Sequence, residues 1–243
     1  MKKLMICILC VASIPAFAQF RLGVQGSFSP VNYWQSDGHA GLNPNEFTWE
    51  LNGFQAGIFG EYDLGYSGLV IQPALMYAMN GSHTGQSTGF VNNANFSYYF
   101  TDTKTKVYSL RLPVNLLYTY RISPKFKVYG GFGPYIAKNL SGSEKGTLYG
   151  DSANNNNYAF PINNKLKFNS KESYNFLGQS NVSSFDFGMD IMLGFQYKKV
   201  EISASWNRGF TRQYYTSQVN LGNDFWNFTV GYVIFGHERK PKL

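Results

Sequence analysis

The sequence predicts an all-β chain: a transmembrane, antiparallel, up-and-down β-barrel of eight strands, with ten as the alternative count. Three observations carry this. Charged residues are only 14% of the chain and aromatics reach 18%, with 21 Phe and 18 Tyr; soluble domains average roughly 25% charged. Eight segments alternate apolar and polar residues with period two, near the ~9–11 residues a tilted strand needs to cross a bilayer. The connectors between them alternate long and short, which is the pattern of external loops and periplasmic turns. A secreted β-sandwich shares the composition, but it does not require connector length to follow strand parity.

The first element is an export signal over residues 1–18. "MKKLMICILCVASIPAFAQ" has two lysines, a short apolar run and "AFA" before Gln19, the three parts of a cleavable signal. The run is too short to cross a membrane as a helix, and no later apolar run approaches ~18 residues. Cys10 lacks the small residues that precede a lipoprotein cysteine. Cys7 and Cys10 are the two cysteines of the chain; both leave with the signal, so no disulfide or thiolate chemistry is expected in the mature protein. Removing Lys2 and Lys3 lowers the formal net charge from +7 to about +5. No basic block is dense enough to suggest nucleic acid.

The barrel domain is expected over residues 19–236, followed by a short periplasmic tail over 237–243. Residues 20–28 alternate Phe20, Leu22, Val24 and Phe28 with Arg21, Gln25 and Ser27. Residues 52–62 set Phe54, Ala56, Ile58 and Tyr62 against Gln55, Phe59 and Glu61. Residues 69–79 place Leu69, Ile71, Leu75 and Tyr77 opposite Gln72, Ala74 and Ala78. Residues 107–119 place Tyr108, Leu110, Leu112, Val114 and Leu116 opposite Ser109, Arg111, Pro113 and Asn115. Residues 126–136, "FKVYGGFGPYI", are Gly-rich and leave the faces ambiguous. Residues 185–197 are the cleanest, with Phe185, Phe187, Met189, Ile191, Leu193 and Phe195 against Asp186, Gly188, Asp190, Met192, Gly194 and Gln196. Residues 200–207 and 226–235 complete the set.

Residues 29–50, 80–106, 138–183 and 208–224 are long and polar; 63–68, 120–125 and 198–199 are short. Eight strands leave both chain ends in the periplasm. "NNNN" at 154–157 reads as a solvated loop tip. "KLKFNSKESYNF" within 138–183 could add a hairpin above the membrane or raise the count to ten.

In a small membrane barrel one face of each strand meets lipid and the other meets a lumen filled with side chains. Parity turns Arg21, Glu61, Arg111, Asp186, Asp190 and Glu201 inward, as a structural polar network in which arginines and carboxylates of different strands can pair. Asp186 and Asp190 lie about 13 Å apart along their strand, too far to pair with each other and suited to meeting arginines. Pro73, Pro113 and Pro134 interrupt neighbouring strands, and a closed barrel has no edge for them. Local bulges or water-satisfied carbonyls are expected there.

"LVIQPALMYAMNG", "VYSLRLPVNLLYTY", "KVYGGFGPYIA" and "FDFGMDIMLGFQY", in that order, resemble the outer-membrane β-barrel proteins of Bacteroidota, the porin-like or PorT-like group. The resemblance runs from about Phe20 to Phe235. "RGFTR" at 208–212 is similar to the Gly-centred turn after the seventh strand of that family. The resemblance implies an eight-stranded outer-membrane barrel without a defined activity; a few such proteins act in type IX secretion. Barrel chains often finish on an outward aromatic that serves assembly, whereas parity here puts Ile234 outward and Phe235 inward.

Chemistry is sparse. His39, His83 and His237 lack ligand spacing, so no metal is expected. "GGFG" at 130–133 has no following lysine or helix for a phosphate loop; its glycines suit a bending wall or a bulky lumen neighbour. Ser36, Asp37 and His39 share one loop, but a triad draws on separate elements. No catalytic residue, cofactor or metal is assigned, and no enzyme activity is expected. The expected role is structural or binding, through the large external loops and a ligand the residues do not specify. A small-solute pore and an accessory barrel of a type IX-like secretion system are the alternatives. The expected partners are outer-membrane lipid and lipopolysaccharide, with envelope or secretion proteins as further candidates and no nucleic acid.

Overall fold

The computed structural model describes residues 20–35, 46–49, 51–65, 68–92, 95–152, 156–168, 181–211, 214–215 and 220–236. The export signal with both cysteines, the Ser36–Asp37–His39 group, all of "KESYNF" and the tail with His237 lie outside them. Eight antiparallel strands form a closed ring. In chain order they are β1 (Phe20–Gln35), β2 (Leu51–Asp63), β3 (Leu69–Asn92), β4 (Asn95–Ser123), β5 (Phe126–Ser152), β6 (Phe185–Tyr197), β7 (Val200–Gly209) and β8 (Asn220–Gly236). Each pairs with its sequence neighbour in the ring, and β1 pairs with β8 to close it.

The tight connections sit at one end. Pro124 and Lys125 join β4 to β5, and Lys198 and Lys199 join β6 to β7. Lys198 takes a left-handed φ of 53°, which suits a two-residue hairpin loop. Between β2 and β3, Gly68 has φ 91° and accepts a bond from the Thr119 amide at 2.7 Å. A Cβ there would lie 2.3 Å from the Thr119 carbonyl oxygen, so the turn requires glycine.

The sheet is inverted relative to a soluble protein. Leu112, Ile191, Ile58 and Phe132 are 45–54% exposed on the outer surface, while Arg111 and Asp190 are 3% and 5% exposed inside. A continuous apolar outer face of this kind matches lipid, and its alternation with a polar interior is what period two produces in a closed wall. The ambiguous segment of β5 is now assigned: Lys127, Tyr129 and Tyr135 are buried inside, while Phe132 and Ile136 face out. Its "GGFG" glycines serve close approach, since a Cβ on Gly131 would sit 2.8 Å from Leu117 Cδ2.

Three features depart from the sequence reading. Two long connectors are largely strand: β3, β4 and β5 run 24, 29 and 27 residues, against 13 and 10 for β6 and β7. Their far halves continue as a sheet, joined by Glu46–Trp49 on β3 and Asn156–Lys165 on β5. Their Thr, Ser, Gly and Lys residues carry no apolar alternation, so the pattern could not reveal them. The added hairpin beside the ring pairs 143–152 with 156–165 rather than forming within "KLKFNSKESYNF", whose residues 169–176 lie outside the described ones, and the ring has eight strands.

The bulges offered as one expectation at the prolines do not occur. The ladder omits Gly60–Pro73 with Glu61–Gln72, Ala74–Pro113 with Leu75–Leu112, and Val114–Pro134 with Asn115–Gly133. The register on either side of each gap is unchanged. Proline removes a donor, and here the wall loses bonds across two residue pairs without bulging.

The third departure is at the closing strand. The β1–β8 register shifts between Leu22, opposite Phe235, and Gly23, opposite Val233. Ile234 is the extra residue of a bulge. Strict alternation would turn Phe235 inward; the bulge leaves both Ile234 and Phe235 exposed, at 55% and 65%, and sets Phe235 opposite the outward Leu22.

Candidate functional site

The lumen is the chemically organised part of the molecule. Each inward side chain arrives by strand parity, and the register decides which ones meet. All six polar residues singled out from the sequence are buried: Arg21, Glu61, Arg111, Asp186, Asp190 and Glu201. They fall into two clusters.

The cluster nearer the tight turns centres on Glu61 of β2. Arg21, directly opposite it on β1, forms an ion pair with its carboxylate. Gln72 Nε2 donates to Glu61 Oε1 at 3.3 Å, and Lys127 Nζ lies 3.7 Å from Glu61 Oε2. Lys127 stands on β5, across the lumen from β2. Arg21 also donates to Gln196 Oε1 of β6 at 3.0 Å, a second contact across the interior. Glu201 is buried opposite Gln196 on the neighbouring strand.

The second cluster centres on Arg111 of β4. Its guanidinium pairs with Asp190 of β6 and donates to Asn207 Oδ1 of β7 at 2.6 Å. Its carbon lies 3.8 Å from the centroid of the Tyr135 ring of β5 and 5.4 Å from that of Phe225 of β8. Tyr135 in turn donates its hydroxyl to Asp186 Oδ2 at 3.0 Å. One arginine thus ties β4 to β7 over the face of β5, by a charge pair, a hydrogen bond and a cation–π contact. Glycine makes the position of Tyr135 available, because a Cβ on Gly188 would lie 2.5 Å from Tyr135 Cε1.

A neutral layer completes the filling. Asn227 Oδ1 accepts from Ser29 Oγ and from Gln55 Nε2, the latter at 3.0 Å, and Ser27 and Thr229 share a hydroxyl bond of 2.8 Å. The space left between this layer and Arg111 is a cavity of about 40 Å³, room for a few waters.

Asp190 meets Arg111, while Asp186 meets the Tyr135 hydroxyl. Tyr135, Asn207, Lys127 and Gln196 are the members sequence reasoning did not single out. Parity already turned Asn207 and Gln196 inward; Lys127 and Tyr135 stood in the segment whose faces were ambiguous. His83, expected in a loop, lies in β3 with Nε2 at 2.5 Å from Asp102 Oδ1. Among the described residues no group of three His, Cys, Asp or Glu is arranged to hold a metal ion.

A closed eight-stranded sheet, apolar outside and charged inside, defines an outer-membrane β-barrel. Residues 17–215 match the family described as outer membrane protein beta-barrel domain, and the chain belongs to that family. No curated protein matches the sequence. Among solved structures, the chain is similar to Ail, the attachment invasion locus protein of Yersinia pestis, solved in complex with the heparin analogue sucrose octasulfate. The identity is 13% and the TM-score 0.36, over 89% of this chain and 99% of that one. It is also similar to neisserial surface protein A, at 13% identity and TM-score 0.38, over 87% and 96% of the two chains. A third similarity is to the translocator domain of the autotransporter NalP from Neisseria meningitidis, at 10% identity and TM-score 0.25, over 95% and 94%.

Proposed function

We propose that this protein is a closed, non-conducting outer-membrane barrel with a structural or binding role. In this reading its working surface is the sheet that β3, β4 and β5 raise beyond the apolar belt. The observation that carries the reading is the contact of Lys127 with Glu61 at 3.7 Å, made between strands on opposite sides of the lumen. An eight-stranded barrel has an interior just wide enough for side chains, and a bridging ion pair leaves no continuous path beside it. The tight turns then face the periplasm and the raised sheet faces outward. Residues 1–18 act as the cleaved export signal, the chain has no catalytic role, and its affiliation within the family is with the PorT-like barrels of Bacteroidota.

The test is planar-bilayer recording of the purified, folded protein. The expected outcome is no large, steady channel. Stable steps of porin size would overturn the closed-lumen reading in favour of a small-solute pore.

A further inference from the structure

We propose that the outward face of β4 and β5, just beyond the apolar belt, binds the phosphate groups of an outer-leaflet glycolipid. The starting observation is electrostatic. Lys104 and Lys145 are directly opposed across the two strands. Both are exposed, as is Lys106, the next outward residue on β4. Like charges directly opposite each other destabilise a strand pair. None of the three has an ion pair or hydrogen bond among the described residues. The nearest carboxylate on that face, Asp102, is engaged on its other side by His83. Three ammonium groups therefore share one face with no protein anion paired to them.

The face is also shaped. A cleft of about 490 Å³ is lined by these lysines together with Asp102, Tyr108, Ser143 and Thr147; the Ser143 and Thr147 hydroxyls can donate to phosphate oxygens, and Asp102 is the one carboxylate on the lining, held by His83. Ammonium groups with adjacent hydroxyl donors suit a tetrahedral oxyanion better than a carboxylate-poor apolar ligand.

Position selects a lipid-borne phosphate over a soluble one. The cleft opens radially, on the same outer face as Leu110, Leu112 and Ile136, which are 41–48% exposed in the apolar belt. Tyr108 stacks on Tyr77 with ring centroids 6.1 Å apart, and Lys138 Nζ lies 3.9 Å from the Phe185 ring centroid. An aromatic and cationic row of this kind marks the rim of the hydrocarbon layer. Lys106 is two residues beyond Tyr108, and Lys104 four. For a strand tilted by about 40°, that is roughly 5 and 10 Å of height above the rim. The headgroup layer occupies roughly the first 5–8 Å beyond the hydrocarbon, so phosphates of lipids packed against the belt fall at the level of Lys106, and the long side chains of Lys104 and Lys145 reach down to them from just above.

The inference rests on the outward placement of the raised sheet. A cysteine at position 104, labelled in intact cells by a membrane-impermeant maleimide, tests that placement separately, and channel recording tests the lumen. The binding experiment is native mass spectrometry of delipidated, folded full-length protein titrated with bisphosphorylated lipid A. Wild type should bind it at least ten-fold more tightly than dephosphorylated lipid A. The variant Lys104→Gln/Lys106→Gln/Lys145→Gln, checked as folded by heat-shifted gel migration, should lose at least ten-fold. Inositol hexakisphosphate should fail to displace the lipid. Equal binding by the triple variant or of the dephosphorylated lipid would overturn the proposal, as would displacement by the soluble polyanion, which would show a site for free anions. In lipid-free detergent, Lys145→Glu should raise the melting temperature by pairing with Lys104, and should abolish the rise that lipid A gives wild type. A fall in the lipid-free melting temperature would refute the like-charge argument on which the site is built.

Discussion

The Arg111–Asp190 pair allows a double-mutant cycle with a calculable result. Arg111→Leu removes the guanidinium from Asp190, from Asn207 Oδ1 at 2.6 Å and from the Tyr135 face at 3.8 Å. Asp190 is 5% exposed and stays behind as a carboxylate without its cation. Breaking a buried pair from one side costs about 3–5 kcal/mol. Asp190→Asn leaves Arg111 with Asn207 and two aromatic faces, so its cost belongs at the low end of that range. The double variant has no stranded charge. Its loss should fall short of the sum of the single losses by a coupling energy of about 2–3 kcal/mol, within the span found for contacting residues. The assay is reversible urea unfolding in detergent micelles, with heat-shifted migration as an independent count of folded protein. Insertion itself should survive, because Arg111 faces the lumen and its loss exposes nothing to lipid. Additivity of the two single losses to within about 0.5 kcal/mol would refute the pairing on which the description of the lumen depends.

Two further outcomes follow from the wall. Leu112, beside Arg111 but 45% exposed on the outer face, should tolerate arginine poorly: Leu112→Arg should destabilise by about 2–4 kcal/mol near the midplane. A cysteine at 112 should react with a lipid-soluble probe and one at 111 should not, and the reverse labelling would mean the strand is shifted by one residue. Deleting Ile234 should remove the closing bulge and keep Phe235 outward opposite Leu22, because Val233 before it faces the lumen. The fraction of chain reaching the heat-shifted form should then hold, whereas Phe235→Ala should lower it, and an unchanged yield for Phe235→Ala would separate the outward aromatic from assembly.

The membrane-spanning wall was legible because burial on the two faces differs in kind. Each of β1, β2, β4, β6 and β7 could be read from alternation alone, since Arg111 between Leu110 and Leu112 admits one orientation in a bilayer. β5 was not legible because aromatics occupy both faces, with Tyr129 and Tyr135 inside and Phe132 outside, and glycines give no vote. The raised sheet escaped because its Thr, Ser, Gly and Lys residues carry no apolar alternation. In the lumen, parity turned Arg21, Glu61, Arg111, Asp186, Asp190 and Glu201 inward. Which of them meet depends on how the strands are staggered around the ring. That stagger brings Lys127 to Glu61 and Tyr135 between Arg111 and Asp186, and it is a property of the closed sheet rather than of any one segment.

The three ladder gaps at Pro73, Pro113 and Pro134 bear on the chain before it reaches the membrane. "LVIQPALMY", "LRLPVNLLY" and "GFGPYIA" are among its most apolar, β-prone stretches. An exported chain must cross an aqueous compartment unfolded, and windows of this kind are where unfolded chains stack into intermolecular sheets. A proline inside each window withholds a donor from any such stack. It also holds the residue before it, Gln72, Leu112 or Gly133, in the extended region that the finished strand uses, which lowers the entropy of the unfolded chain. The closed barrel can spare a few ladder bonds because its register is held above and below each gap. A loose intermolecular stack has no such support, so the same missing bonds weigh more heavily against aggregation than against the native wall.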